Sequence, residues 1–173
     1  AGARDSRRLI EDLDNLGVER SESVADAHTQ ISAATVACNL LEAISIFADV
    51  LRAPHFQAEQ MEPARLAMLQ ELRAVEDEPA EQLMIELRRR HYPHPWGRPS
   101  QGERAALEAI TADDIRRHFA AHYRPNGTIL GIAGRFDWPA VCEAIERLLG
   151  DWRPVAERAP VEKPRVGGWH HMP

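Results

Sequence analysis

The length, composition and charge of this chain exclude several classes of protein. Its 173 residues suffice for one hydrophobic core, and 44% apolar with 28% charged residues is the balance of a folded chain rather than a disordered one. The net charge of -6, with acidic and basic residues mixed throughout, argues against a nucleic-acid partner, since phosphate backbones require a basic surface. No apolar run reaches the roughly 18–20 residues that span a bilayer, so we expect a soluble cytoplasmic or periplasmic chain.

The first third of the chain predicts a helix, two strands and a second helix. The first helix covers residues 5–16, because apolar residues recur there at helical spacing and Gly17 follows as a terminator. Alternation of polar and apolar residues from 18 to 36 predicts half-buried strand, with a break near 21–25 that makes two strands. A core helix capped by Asn39 follows. Its predicted core-facing residues are Leu40, Leu41, Ile44, Phe47, Ala48 and Leu51.

The middle of the chain predicts four helices and one loop. Residues 57–76 carry an apolar arc at helical spacing, and a further helix runs to about His91. Three prolines and two glycines fall within 92–102, which predicts a loop. A short helix at 103–110 then precedes a helix at 115–122, whose start is marked by a capping signal in the preceding residues.

The last part of the chain predicts one strand, one helix and a tail. The short apolar run 128–133 is bounded by turn residues, and its length predicts a buried strand. Asp137 caps a last helix, and the proline-rich residues 153–173 form an extended tail. Cys38 and Cys142 each lie within an apolar helical pattern, which predicts two buried free thiols.

Glu71 is the most informative single residue. On a helical wheel it falls on the shoulder of an apolar face, beside Ala64, Met68 and Val75, where an unpaired carboxylate is costly. A structural and a functional explanation of this carboxylate both stay open. The structural explanation has two forms. Arg65 or Arg73 pairs with the carboxylate, or the side chain extends to solvent. Alternatively, Glu71 is a metal ligand.

A pair of histidines offers a weaker metal signal. His118 and His122 are four residues apart, a spacing that can hold zinc on one helix. The glutamate that follows the first histidine in a His-Glu-x-x-His motif is replaced by Phe119. The pattern therefore favours surface histidines near a helix end, where positive charge suits the helix dipole.

Several segments in a fixed order carry a family resemblance. They are the helix of residues 7–17, MEPARLAMLQEL at 61–72 with EDEP at 76–79, HYPHPWGRPSQG at 91–102, AITADDIRRHFAAHYRPNGTILGIAGRFD at 109–137 and LLGDW at 148–152. In this order and spacing they resemble the pitrilysin/insulinase family of zinc metallopeptidases, which includes mitochondrial processing peptidases and inverzincins. The resemblance covers residues 7–152.

The resemblance implies an α+β fold, with a mostly antiparallel sheet and helices packed on one face. Residues 1–152 are then a segment of a metallopeptidase half-domain whose amino-terminal part is missing, and 153–173 are a tail or a linker to the next domain. It also implies Zn²⁺ held by a His-x-x-Glu-His helix and by a distal glutamate, and Glu71 falls on that distal position.

Two departures from the family pattern predict that this chain alone is inactive. The His-x-x-Glu-His motif is absent, and the family spacing puts it just before Ala1. Ala64 stands where the family usually has a supporting glutamate, seven residues before the distal ligand. We therefore expect the chain by itself to contain no catalytic residue and to bind no zinc.

The resemblance further implies that an extended peptide or unfolded protein segment adds to a sheet edge in the region 18–36. Ser23, Asp26, His28 and Gln30 are the predicted substrate-binding residues. The implied partner is a second metallopeptidase-like half, in the same chain or in a partner subunit. Two functions stay open: a segment of a zinc metalloendopeptidase, or a noncatalytic peptide-binding or partner subunit of a metallopeptidase heterodimer.

Overall fold

The computed structural model describes residues 2, 4–25 and 28–154. The described residues form two strands and seven α-helices: α1 (Ser6–Asn15), β1 (Glu19–Val24), β2 (Thr29–Ala34), α2 (Leu40–Arg52), α3 (Met61–Glu76), α4 (Pro79–His91), α5 (Arg104–Ala109), α6 (Ala112–His122) and α7 (Trp138–Leu149). The two strands pair in an antiparallel sheet, which confirms the α+β class. None of these helices is long and apolar enough to cross a membrane.

The chain divides into two compact units. The first unit contains the described residues within 1–23, 31–56 and 116–157, and the second contains those within 24–30 and 57–115. Helices α1, α2 and α7 belong to the first unit, and α3, α4 and α5 belong to the second.

Both ends of α1 have hydrogen-bonding caps. At its start the carboxylate of Asp5 accepts a hydrogen bond from the backbone N–H of Arg8 at 2.7 Å. At its end Gly17 adopts a φ of +60°, a left-handed conformation in which glycine has no steric penalty. This allows the N–H of Val18 to donate to the carbonyl of Leu13 at 3.0 Å, as in a Schellman motif. The predicted termination of this helix at Gly17 is confirmed.

The first unit has an apolar core. Its buried side chains are Leu13, Leu16, Val18, Ala43, Ile46, Ala48, Val141 and Ala144. Ile46 is 0% exposed, although the predicted core face of α2 omitted it, whereas the predicted core residue Leu41 is exposed. The prediction of a core helix was therefore right and its orientation was partly wrong. Helix α2 contacts both α1 and α7, so a face centred on Ala43 and Ile46 is buried.

The carbonyl of Leu16 is held by two side chains from the segment before α2. The Oγ1 of Thr35 donates to it at 2.9 Å, and the Nδ2 of Asn39 donates to it at 3.0 Å. Asn39 stands at the start of α2 but makes no side-chain capping bond there, contrary to its predicted role. Its amide instead satisfies an acceptor that the end of α1 leaves unpaired.

An ion pair joins the end of α2 to the residues after α7. A guanidinium nitrogen of Arg52 lies 2.7 Å from a carboxylate oxygen of Asp151, and Arg52 also donates to the carbonyl of Leu148 at 2.5 Å. The hydrogen bond with Arg52, with a smaller contribution from its charge, lowers the pKa of Asp151 below the ordinary aspartate value. The pKa of Arg52 is raised by the same hydrogen bond.

The two strands fall within the predicted range 18–36, but they are more exposed than the alternation predicted and the break between them lies later. β1 is exposed along its whole length, and β2 is half-buried only at Ile31 and Ser32. The break between the strands follows Val24 instead of lying within 21–25, and the N–H of Ala25 donates to the carbonyl of His28 at 2.9 Å. The expectation of half-buried strands is therefore wrong for β1.

The predicted strand at 128–133 is not formed in the structure. Ile129 is 92% exposed, and Leu130 is also exposed. A buried strand needs backbone partners on a neighbouring strand, and no other described segment pairs with these residues. The cysteine prediction is also wrong in part, because Cys38 and Cys142 are free thiols but are exposed rather than buried.

In the second unit one arginine joins α3 to α5. Arg65 donates to the last carbonyls of α5, those of Leu107, Glu108 and Ile110, the last two at 2.9 and 2.8 Å. Its guanidinium also lies 3.1 Å from the carboxylate of Glu62. The end of a helix leaves carbonyl groups without intrahelical partners, and here a charged donor binds three of them.

The remaining predictions for the middle of the chain are confirmed. Residues 92–102 contain no helix or strand. The start of α6 has a reciprocal cap, because the N–H of Thr111 donates to the carboxylate of Asp114 at 2.9 Å and the N–H of Asp114 donates to the hydroxyl of Thr111 at 3.2 Å.

Candidate functional site

Glu71 lies in α3 with an exposed side chain. The half-buried residues of α3 define its inward face: Met61, Arg65, Met68, Leu69, Leu72 and Val75. Glu71 directly precedes Leu72, and since successive helical residues are about 100° apart, it turns away from this face. The expectation of a buried carboxylate is therefore wrong. The assignment of Glu71 as a metal ligand does not depend on burial alone and stays a prediction.

The neighbours of Glu71 along its side of α3 are small. Ala64, Ala67 and Ala74 lie seven, four and three residues from Glu71, and all three are exposed. Within the part of the chain that the structure describes, the Glu71 carboxylate has no hydrogen-bond or ion-pair partner. The predicted pairing with Arg65 is wrong, because that guanidinium binds Glu62 and the end of α5. Arg73, the other predicted partner, makes no ion pair with Glu71 either.

The described residues do not by themselves fit a zinc ion. Catalytic zinc sites use three protein ligands and keep a position open for water or substrate. No group of three or more histidine, cysteine, aspartate or glutamate side chains in the described ranges could hold a metal. If Glu71 provides one oxygen ligand, the further ligands have to come from outside the described residues.

The two histidines of α6 stack on each other. The ring centroids of His118 and His122 are 4.4 Å apart with an angle of 33° between the ring planes, and both side chains are exposed. This arrangement agrees with the interpretation as surface histidines near the end of a helix. With two imidazoles and no third ligand among the described residues, the pair falls short of a protein zinc site.

The predicted substrate-binding residues lie on and between the two strands. Ser23 is in β1, His28 is in the connection, and Gln30 is in β2, and all three are exposed. Asp26 lies outside the described residues. Because the described sheet has only two strands, each has one edge that no described strand occupies. Such an edge can hydrogen-bond the backbone of an extended peptide.

Arg65 is a side chain whose structural role could not be predicted from the sequence. It lies on the inward face of α3, between Met61 and Met68, at helical spacing. A long cationic side chain in the middle of an otherwise apolar stripe requires a hydrogen-bond acceptor, so the sequence indicated that Arg65 has a partner. The acceptor could not be inferred, because the carbonyls at the end of α5 are more than forty residues away in the chain.

Comparison with known proteins identifies the family. The family model described as insulinase, peptidase family M16, matches residues 2–99, and the model of the M16 inactive domain matches residues 109–170. The chain belongs to the M16 insulinase family. This confirms the pitrilysin/insulinase resemblance that the ordered segments carried.

Relatives of this M16 chain include processing peptidases and zinc proteases by name. A probable mitochondrial-processing peptidase subunit beta from Arabidopsis thaliana is 23% identical over 146 residues, which are 84% of this chain and 28% of that protein. An uncharacterized zinc protease from Streptomyces coelicolor is 29% identical over 126 residues, 72% of this chain and 28% of that protein. The M16 chain thus spans less than a third of these two relatives.

Solved structures of larger proteins contain the fold of this chain. An M16-like peptidase from Alicyclobacillus acidocaldarius matches with a TM-score of 0.76 and 22% identity, over 94% of this chain and 37% of that one. A protease from Helicobacter pylori matches with a TM-score of 0.85 and 18% identity, over 95% and 40% respectively. The likeness shows that this chain has the fold of a part of each of these two longer chains.

Proposed function

We propose that this chain is a segment of a zinc metalloendopeptidase acting on peptides or protein segments, and that Glu71 is its contribution to the metal site. The observation that carries the proposal is an exposed carboxylate with no described protein partner, on a side of α3 that also carries three exposed alanines. Membership of the M16 family and the zinc-protease names of relatives support the same function.

The alanines around Glu71 support the approach of another protein element. Their side chains are short, so a helix or strand that carries further ligands could come close to the backbone of α3 at this point. A carboxylate brought into such an interface is costly unless a cation neutralises it. A zinc ion shared between Glu71 and imidazoles of the approaching element would provide that cation, and hydrolysis would then depend on residues outside this chain.

The two-stranded sheet supports peptide binding. An extended segment adding to a free edge would hydrogen-bond the backbone, and alternate side chains would contribute selectivity. Ser23, His28 and Gln30 are exposed where such a segment would run. We use the term parent protein for a longer polypeptide that contains this segment. In amide hydrogen exchange of the parent protein, a substrate peptide is expected to slow exchange within residues 23–31. Unchanged exchange there would remove this part of the proposal.

The ligand role of Glu71 is tested in the longer parent polypeptide. Metal content is measured by elemental mass spectrometry, and peptide cleavage is followed with a fluorogenic peptide. Glu71→Gln keeps the size and polarity of the side chain but replaces a carboxylate with a weaker ligand, so bound zinc and cleavage should both fall. Glu78→Gln changes an exposed glutamate seven residues later, at the cap position of α4, and is the control that should retain both.

The Glu71→Gln variant can contradict the proposed ligand role. If Glu71→Gln binds one zinc per chain as tightly as the unmodified protein and cleaves the peptide at the same rate, Glu71 is not a ligand. A parent polypeptide that lacks His-x-x-Glu-His and contains no zinc would instead favour the second function below.

The second candidate function is a noncatalytic subunit that binds peptide and completes an active partner. Ala64 is the observation that favours it, because the family usually has a supporting glutamate at this position. Ala64→Glu introduces a second carboxylate two turns before Glu71 on the same side of α3. In an active parent this change should raise zinc affinity or cleavage. In a noncatalytic subunit it should leave cleavage absent, while peptide binding measured by fluorescence anisotropy persists.

A further inference from the structure

We propose that the outward face of α4 is a surface for self-association, occupied by the same face of a second copy of this chain. The inference concerns a different helix from Glu71 and is independent of the proposed function. It depends on an exposed apolar stripe, a groove beside it, and the distribution of charge along one helix.

The apolar stripe lies on the side of α4 that faces solvent. Ala80, Leu83, Met84 and Leu87 are spaced by one, three or four residues and so share one face of the helix. Leu83 is 52% and Met84 is 62% exposed, whereas Ile85 on the opposite side is half-buried. A contiguous exposed apolar face of this kind is characteristic of a surface that contacts another protein.

A groove of about 700 Å³ runs beside this stripe. Met84 and Leu87 form part of one wall, and Pro99 and Gln101 of the loop after α4 form part of the other. All of these residues belong to the second unit. The groove is large enough to accept a methionine or leucine side chain, and the stripe of a second copy would present those side chains to it.

The charges along α4 make the face complementary to itself. Its amino-terminal end is acidic, with Glu78 as the cap residue and Glu81 in the first turn, and its last turn contains Arg88, Arg89, Arg90 and His91. When two copies of α4 lie antiparallel across a two-fold axis, the acidic end of each meets the basic end of the other. A parallel alignment would bring like charges together.

The antiparallel arrangement also predicts a specific pair of contacts. Glu81 and Arg88 are seven residues apart, two helical turns, and both line the groove on the same side of the stripe. If the two-fold axis crosses the helix pair between Met84 and Ile85, Glu81 of each copy lies opposite Arg88 of the other. Symmetry makes this contact twice, with Met84 and Leu87 between the two ion pairs.

Sedimentation velocity of the full chain over a concentration series tests the proposal. The chain should be in a monomer–dimer equilibrium, and Met84→Glu should weaken dimerisation at least about tenfold, because it places a charge in the centre of the apolar contact. Leu66→Glu is the matched control, since Leu66 is 54% exposed on α3 and does not line the groove. It should leave the dissociation constant unchanged.

A charge exchange tests the orientation. The E81R chain and the R88E chain should each dimerise more weakly than the unmodified chain, because each places like charges together twice. An equimolar mixture of the two should form a heterodimer, because all four groups then face an opposite charge. Circular dichroism checks that each variant is folded. If the R88E chain is unfolded, the dissociation constants of the E81R chain and the Met84→Glu chain still test the proposed face.

Three outcomes would overturn the proposal. The first is a chain that stays monomeric at hundreds of micromolar, which would leave this face to a different protein segment. The second is a dimer that Met84→Glu does not weaken, since the contact would then lie elsewhere. The third is a folded E81R and R88E mixture that associates no better than its components, which would exclude the antiparallel alignment.

Discussion

The two units of this chain are stabilised differently. All the buried hydrophobic side chains among the described residues belong to the first unit, where α1, α2 and α7 enclose Ile46 and its neighbours. In the second unit the apolar residues of α3 are half-buried or exposed, and those of α4 are largely exposed. Arg65 joins α3 to α5 through backbone carbonyls. The first unit thus encloses an apolar core, although Ile129 and Trp138 remain exposed in it, whereas the described residues of the second unit include no buried hydrophobic side chain.

This difference indicates where the chain meets other protein. Apolar surface stabilises a fold by about 25 cal/mol for each Å² removed from water, and the second unit has gained less of this contribution. The exposed carboxylate of Glu71 and the apolar stripe of α4 both lie in that unit. We therefore expect the first unit to be the more stable of the two, and the second to provide the surfaces around Glu71 and α4.

The largest effect is expected from Ile46→Ala. Ile46 is 0% exposed, so the change removes buried methyl groups and leaves a cavity, which costs about 2–5 kcal/mol in free energy of unfolding. Urea denaturation followed by circular dichroism measures the loss. Leu66→Ala in the second unit is the control, and a loss there as large as that of Ile46→Ala would contradict the contrast between the units.

A smaller and local effect is expected from Arg65→Met. The change keeps much of the aliphatic packing but leaves the carbonyls of Leu107, Glu108 and Ile110 without this donor, at a cost of about 1.5–3 kcal/mol. Amide hydrogen exchange should accelerate in α5 and remain unchanged in α1 and α2. Arg73→Met removes an exposed arginine of the same helix and should have no such effect. Equal acceleration in both units would show that the units do not unfold separately.

The smallest effect concerns the Arg52–Asp151 pair in the first unit. The pKa of Asp151 is lowered in the folded chain, so the pair stabilises the fold above the ordinary aspartate pKa of 3.8 and this contribution is lost as the pH falls below about 4. The difference in unfolding midpoint between the unmodified chain and Asp151→Asn should shrink between pH 6 and pH 3. Asp14→Asn, which removes an exposed carboxylate without a described arginine partner, provides the reference. A difference that stays constant with pH would mean that the pair contributes nothing.

Local signals in the sequence predicted most helices and their ends. Gly17 ends α1, Thr111 and Asp114 start α6, and prolines and glycines mark the loop 92–102, because each of these residues acts on the backbone within a few positions of itself. The family was also recognisable from the order of segments alone. Glu71 was singled out as a candidate ligand by its position in that order, and its ligand role stays a prediction.

What the sequence alone determined, therefore, was the set of helices, the break that separates two strands, and membership of a peptidase family. The tertiary structure decided that Ile46 is fully buried, that Glu71 faces outward, that 128–133 forms no strand and that Arg65 binds the end of α5. The physical reason is that periodicity shows which residues share a helix face but not what covers that face. Burial and hydrogen-bond partners depend on segments that are distant in sequence, and they follow only from how those segments pack.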